Sequence, residues 1–217
     1  MCRRIFMIKR NILIVEDEAI IAEDIKLRLE NLGYSVVNIL DNYESIMKEL
    51  EKKEIDLILM DIMIKGIMDG IQVAQLIKTK YDTPIIFITS YSDENTVERA
   101  KLTESYGYLL KPIHQKELQI VIDFAFYKHL SEIAEKKEKE WYEAILNSLK
   151  TPIIATDKEN NIKFINLEAR KKMGKKAVRA EGKSVYEIIK LKKEDKSVES
   201  CTIYNREGDI IGNLIYL

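Results

Sequence analysis

The first 127 residues predict an α/β fold built on a doubly wound parallel sheet. Two observations carry this. Short apolar, β-rich runs alternate with amphipathic helical stretches, and the runs are continuously apolar rather than alternating. A strand buried on both faces needs apolar side chains at every position, which is the mark of a parallel sheet covered by helices.

The expected strands are Asn11–Val15, Ser35–Leu40, Asp56–Met60, Pro84–Thr89 and Tyr108–Leu110. The first expected helix spans Ala19 to Leu32. Ile21, Ile25, Leu29 and Leu32 recur on one face, and Gly33 stands where a C-terminal stop belongs. Further helices are expected over Tyr43–Lys53, Ile71–Lys80, Glu94–Ser105 and Lys116–Leu130. The stretch 131–140 is almost wholly charged and has no Pro or Gly. It reads as the last helix continuing outward as a solvated linker, because its apolar positions make poor heptads.

After Leu149 the texture changes. Ile153–Asp157 and Ile162–Asn166 flank a turn at Lys158–Asn161, where Asn160 and Asn161 tolerate left-handed backbone angles. Helical segments are expected to about Lys190. A second hairpin pairs Ser197–Tyr204 with Ile210–Leu217 around Glu207-Gly208-Asp209. Charge separates the halves. Residues 1–127 hold 16 Lys+Arg and 21 Asp+Glu, and residues 128–217 hold 19 and 15. The expected organisation is a first domain over 9–130, a helical linker over 131–140 and a second, α+β domain over 141–217.

The formal net charge of −1 gives no reason to expect nucleic-acid or membrane binding by the whole chain. Two cysteines, Cys2 and Cys201, cannot build a disulfide framework or a zinc site. No run reaches the ~18 apolar residues of a membrane span, and Met1–Arg10 lacks a signal peptide's apolar stretch. A cytoplasmic protein is expected. The basic run Arg170, Lys171, Lys172, Lys175, Lys176, Arg179 and Lys183 has no interleaved aromatics and reads as a solvated face; His114 and His129 read as surface histidines.

Five polar residues stand where apolar strands end: Glu16 and Asp17 after Ile12–Val15, Asp61 after Leu57–Met60, Thr89 after Ile85–Ile88, and Lys111 after Tyr108–Leu110. In an open α/β sheet, functional groups gather at the carboxyl ends of the strands. Two carboxylates ~4 Å apart repel by roughly 4 kcal/mol at an effective dielectric of ~20. A cluster of three therefore needs cations, which Lys111 and a hard divalent ion such as Mg2+ can supply. Carboxylates, Mg2+, a Lys and a hydroxyl suit phosphoryl transfer, and a strand-end carboxylate can itself be the nucleophile.

Val-Glu-Asp-Glu at 15–18, Leu-Met-Asp-Ile at 59–62, Ile-Thr-Ser at 88–90 and Tyr-Leu-Leu-Lys-Pro at 108–112 resemble the receiver domains of two-component response regulators. The resemblance covers about residues 9–130 and implies the flavodoxin-like (βα)5 fold. It implies that Asp61 accepts a phosphoryl group from a sensor histidine kinase. It implies that Glu16, Asp17, Asp61 and the backbone carbonyl of Met63 bind Mg2+, that Lys111 pairs with the phosphoryl group and has a cis bond to Pro112, and that Thr89 and Tyr108 rearrange together. The resemblance also implies that side chains two past Asp61 and two past Thr89 flank the water that would hydrolyse the phosphate. Here these are Met63 and Tyr91, which orient no water, so a long-lived phosphate is expected. Two features depart from the common pattern: Glu16 replaces an aspartate, and the loop after Asp61 lacks a Pro and is one residue longer.

Residues Ala144–Leu149, Ile154–Asp157, Phe164–Asn166, Glu168-Ala169, Gly182–Ser184 and Arg206–Gly212 resemble a PAS sensor domain. The interval Glu187–Ser200 is short for that family, so the module is expected to be abbreviated or truncated. It has no histidine, and Cys201 lies outside any flavin-type motif, so neither haem nor flavin is expected there. The joint expectation is a phosphorylation switch rather than an enzyme, signalling through the PAS-like module to a downstream protein, with a homodimer allowed. Two rivals are an aspartate-nucleophile, Mg-dependent phosphatase and a receiver that binds protein without phosphorylation. The phosphatase class places a second Asp two residues after the nucleophile, where this chain has Met63.

Overall fold

The computed structural model describes residues 9–90, 105–189 and 199–217. The chain divides into two compact units at Ile133/Ala134.

The first unit contains five strands, β1 (Asn11–Val15), β2 (Ser35–Leu40), β3 (Leu57–Asp61), β4 (Ile85–Thr89) and β5 (Gly107–Leu110). They form one parallel sheet in the order β2-β1-β3-β4-β5. The strand order reverses between β1 and β3, so the carboxyl ends of these two strands open onto a crevice. Helices α1 (Ala19–Asn31), α2 (Tyr43–Lys52), α3 (Gly70–Lys78) and α4 (Gln115–Ser148) follow in chain order. The helix expected over Glu94–Ser105 lies outside the described residues apart from Ser105, which is not helical.

The continuous apolar runs sort by the period-2 alternation of a strand. Ile12, Ile14, Leu57, Leu59, Ile86 and Ile88 point to one face, where Ile25 and Leu29 of α1 and Leu118 and Ile122 of α4 meet them. Leu13, Val15, Ile58, Met60, Ile85 and Phe87 point to the other, against Ile46 of α2 and Val73 and Ile77 of α3. Each fully buried side chain of this kind contributes about 1.5–3 kcal/mol relative to exposure. Caps fix where two helices begin. The Asn42 side chain accepts from Ser45 N at 3.0 Å, and Asp69 and Gln72 form a reciprocal capping box at 2.9 and 3.0 Å.

Helix α4 continues through the charged stretch as expected, and runs beyond it. It runs unbroken through the charged stretch to Ser148, so the start of the PAS-like segment, Trp141–Ser148, lies on the same helix. No Pro or Gly interrupts residues 115–148. Pairs one turn apart, Lys128–Glu132, Lys139–Glu143 and Glu138–Tyr142, support the exposed turns. At 1.5 Å per residue the helix is roughly 50 Å long.

The second unit carries a four-stranded antiparallel sheet, with β6 (Ile153–Asp157), β7 (Ile162–Ile165), β8 (Ser200–Tyr204) and β9 (Ile210–Tyr216) in the order β7-β6-β9-β8. Asn160 adopts φ 65° in the first hairpin turn, as its residue type allows. The expected start of β8 at Ser197 lies outside the described residues. Between β7 and β8 lie α5 (Leu167–Met173), a 3-10 turn over Gly174–Arg179, and α6 (Val185–Ile189). Ile154, Ile162, Ile165, Ala169, Ala180, Val185 and Ile215 form the core. This arrangement is consistent with the expected PAS-like module.

One buried polar residue ties the second unit together. Asn166 Oδ1 accepts from Ile153 N at 2.9 Å and Ala169 N at 3.0 Å, while its Nδ2 donates to Leu146 O at 3.2 Å and Thr151 O at 2.8 Å. Replacing it strands two donors and the Thr151 carbonyl, each costing ~1–3 kcal/mol where water cannot enter, while Leu146 O keeps the Leu149 N–H at 3.4 Å. Asn166→Ala is expected to destabilise the second unit by about 2–4 kcal/mol. Urea unfolding followed by circular dichroism should show an earlier transition for that unit alone.

Candidate active site

The sheet delivers the strand-end residues to one crevice. Glu16 and Asp17 follow β1, Asp61 is the last residue of β3, Thr89 the last of β4, and Lys111 follows β5. Glu16, Asp61 and Thr89 are buried. One carboxylate oxygen from each of Glu16, Asp17 and Asp61 lies within 4.8 Å of the others.

Lys111 Nζ neutralises this cluster. It lies 2.6 Å from Asp61 Oδ2, as a hydrogen bond, and 2.8 Å from Glu16 Oε2. The second contact is close enough for an ion pair but is not directed as a hydrogen bond, so the buried Glu16 Oε2 keeps no directed partner. The other oxygens are held by the backbone. Glu18 N donates to Glu16 Oε1 at 3.2 Å and Met63 N to Asp61 Oδ1 at 3.0 Å. The Lys111–Pro112 peptide is cis, as the resemblance implies.

Charge and burial oppose each other here. Burial pushes the Glu16 carboxyl above its ordinary value of 4.5; the Lys111 ammonium offsets part of this, and the Asp61 charge adds to it. For Lys111, burial alone would lower the pKa, but its contacts with Asp61 and Glu16 hold it above the usual lysine value. The ammonium is thus firmly charged.

Gly70 sets how closely α3 approaches Asp61. Its N donates to Ile62 O at 2.9 Å, and a Cβ there would fall 2.0 Å from the Asp61 carbonyl oxygen. Only glycine fits without moving the strand end. Sequence reasoning did not single out Gly70; the signal was its place directly after the Asp69 cap. A second unforeseen contact joins Asp41, just past β2, to Lys65 in the loop after β3. Lys65 N donates to Asp41 O, and Nζ to Oδ2, both at 3.1 Å. The Asn42 amide, then Lys65, holds the Asp41 carboxyl below its ordinary value.

Thr89 and Tyr108 make contacts of their own. The Thr89 hydroxyl donates to Ser90 O at 3.2 Å. Tyr108 stacks on Phe87 with ring centroids 6.0 Å apart, and burial raises its hydroxyl pKa. The Met63 side chain is largely exposed, and Tyr91 lies outside the described residues. Cys201 is exposed and free. Among the described residues no helix is long and apolar enough to cross a membrane.

The sequence profile of the response regulator receiver domain matches residues 12–123. The transcriptional regulatory protein PdtaR of Mycobacterium tuberculosis is 33% identical over 118 residues, covering 54% of this chain and 57% of that protein. The transcriptional regulatory protein YdfI of Bacillus subtilis is 32% identical over 115 residues, covering 52% and 54%. The chain spans about half the length of these curated relatives. Among solved structures, the signal receiver domain of a modulated diguanylate cyclase from Desulfovibrio desulfuricans is 37% identical with a TM-score of 0.54, covering 57% of this chain and 98% of that one. The N-terminal domain of a response regulator/sensory box/GGDEF protein from Carboxydothermus hydrogenoformans is 30% identical with a TM-score of 0.53, covering 57% and 99%.

Removing the Lys111 charge should expose the repulsion it balances. Lys111→Met is expected to cost about 2–3 kcal/mol at neutral pH, below the ~3–5 kcal/mol of a fully buried broken pair because the site opens to solvent. The sign follows from Glu16. A carboxyl whose folded pKa is raised stabilises the fold fully below 4.5 and loses that contribution as pH rises through the raised value. The penalty of Lys111→Met should therefore be smaller at pH 5 than at pH 8 in urea titrations without divalent metal.

Proposed function

Because the chain belongs to the response regulator receiver family, we propose that it takes a phosphoryl group from a sensor histidine kinase onto Asp61 and relays the change to its PAS-like module. The observation that carries this is the crevice itself. Asp61 ends β3 with Oδ2 on the Lys111 ammonium and Oδ1 on the Met63 N–H, beside Glu16 and Asp17.

The chemistry follows from those contacts. A carboxylate oxygen of Asp61 attacks phosphorus, the P–N bond of the phosphohistidine breaks, and the imidazole leaves with the bond pair and takes up a proton. Lys111, held protonated, transfers its contact from the carboxylate to a phosphoryl oxygen. Thr89 at the neighbouring strand end supplies a hydroxyl to another oxygen, and Tyr108 repacks as Thr89 turns toward the phosphate.

Three hard oxygen donors and the undirected, buried Glu16 Oε2 fit a divalent metal. Glu16, Asp17, Asp61 and the Met63 carbonyl would hold Mg2+. When bound, the ion would neutralise negative charge developing on the phosphoryl oxygens.

We assign the receiver to residues 9–130, a helical linker to 131–140 and the PAS-like output module to 141–217. The downstream partner is a protein, on the reading that the basic run in the second module is a solvated face. The Carboxydothermus response regulator/sensory box/GGDEF protein supports this kind of pairing.

A small phosphodonor with Mg2+ should add one phosphoryl group, read by intact mass, and Asp61→Asn should abolish the gain. Asp17→Ala or chelation of the metal should slow the reaction at least tenfold, equal to about 1.4 kcal/mol in the barrier. Phosphate mapped to any other residue, or uptake by Asp61→Asn, would overturn the assignment.

A further inference from the structure

Tyr106 immediately precedes β5 and is 9% exposed. Its hydroxyl meets two side chains of α4. It donates to Glu132 Oε2 and lies 3.2 Å from His129 Nδ1. A phenol carries one proton. With that proton given to Glu132, the oxygen accepts from His129, which places the imidazole proton on Nδ1. The two rings also meet edge to face, with centroids 5.5 Å apart at 85°. Lys128 Nζ, 5.0 Å from the Tyr106 ring centroid, and Lys78 Nζ, at 5.9 Å, lie over the same ring, and Lys128 pairs with Glu132 at 3.9 Å.

The position of this cluster is what matters. His129 and Glu132 lie on the last turn of α4 within the first unit, which ends at Ile133. Beyond it the same helix continues to Ser148. Strand β5 is short and bonded to β4 at both ends: Tyr106 N donates to Ile85 O at 3.0 Å and Lys111 N to Thr89 O at 2.9 Å. Helix α4 lies hard against it, because a Cβ on Gly107 would come 2.6 Å from Val121 Cγ1. One strand therefore carries Lys111, bound to Asp61, at one end and Tyr106, bound to α4, at the other. About 16 Å separates them at 3.3 Å per residue.

We propose that Tyr106 is a latch that clamps α4 where it leaves the first unit, and that β5 transmits the change of partner at Lys111 to this latch. The second half rests on phosphorylation at Asp61 as proposed above. In the resting protein Lys111 is tied to Asp61 and Glu16, β5 is held in place, and the Tyr106 hydroxyl clamps His129 and Glu132. When Lys111 shifts to a phosphoryl oxygen, the strand moves with it and the clamp loosens, freeing the root of the helix that leads to the second unit. A strand this short transmits displacement because packed backbone has discrete arrangements rather than a continuous range. The device needs no ligand at Tyr106 and leaves the chemistry at Asp61 untouched.

Tyr106→Phe tests this because it removes one oxygen and keeps the ring contacts. Amide hydrogen exchange of residues 128–134 in the full chain should rise about tenfold in Tyr106→Phe without phosphodonor, equivalent to about 1.4 kcal/mol. Glu132→Ala should give a rise no larger than this, and the double variant should add nothing beyond Tyr106→Phe, since Tyr106→Phe already removes the contact with Glu132. Additive effects, or no rise, overturn the latch. With phosphodonor and Mg2+, the wild type should show the same loosening, and Tyr106→Phe, phosphorylated to the same extent by mass, no additional change. An equal increment in both proteins would overturn transmission through β5. If no phosphoryl group is added, the reading of Asp61 fails and transmission with it, while the latch stands or falls on the measurements without phosphodonor.

Discussion

Three carboxylates brought together at the end of a parallel sheet set the terms for the rest of the first unit. Lys111 makes their convergence tolerable. Its ammonium spans Asp61 and Glu16, and both contacts lie where solvent screening is weak. Neither carboxylate could be buried there unpaired, since an uncompensated charge costs more than the fold can spare. The lysine must also be able to leave. A charge held by two carboxylates alone would be an inert plug, but the Lys111 side chain keeps part of its surface in solvent. The site is therefore balanced and not sealed, as a switch requires.

The sheet is built to hold that balance. Buried strands with apolar residues on both faces leave the strand ends little freedom, and α3 approaches so closely at Gly70 that any side chain there would strike the Asp61 carbonyl. The clasp between Asp41 and Lys65 joins the loops that follow β2 and β3. Rigidity on the carboxyl side contrasts with the far end of β5, where a cluster of hydrogen bonds and ring contacts meets α4. Between these ends the strand offers a short mechanical path. The second unit depends on a different constraint. Asn166 gathers the backbone of β6, the start of α5 and the residues before the hairpin around one buried amide.

The first unit was legible because its signals are local or periodic. Ile12–Val15, Leu57–Met60 and Ile85–Ile88 are apolar at every position, which buried parallel strands require. The residue following each run, Glu16, Asp61 or Thr89, could be placed at the crevice because strands of one parallel sheet share a carboxyl end. The helical continuation of α4 through its charged middle was legible because no Pro or Gly breaks it, whereas its extension to Ser148 was not. Tyr106, His129 and Glu132 were invisible as a group. Tyr106 and His129 lie 23 positions apart with no sign of contact in the chain, and a histidine in a helix carries no mark of its partner.

Sequence alone thus determined which residues end the strands, which charges would meet, and the class of chemistry such a meeting allows, because strand direction and burial follow from side-chain pattern. Tertiary structure decided the rest. It set which oxygen Lys111 bonds and which it merely approaches, that Thr89 turns to Ser90 rather than to Asp61 in this state, and that Gly70, Asn166 and Tyr106 occupy positions of consequence. Those outcomes depend on small differences in distance, most of them between residues remote in the chain. Only the packing of whole elements against one another fixes such distances.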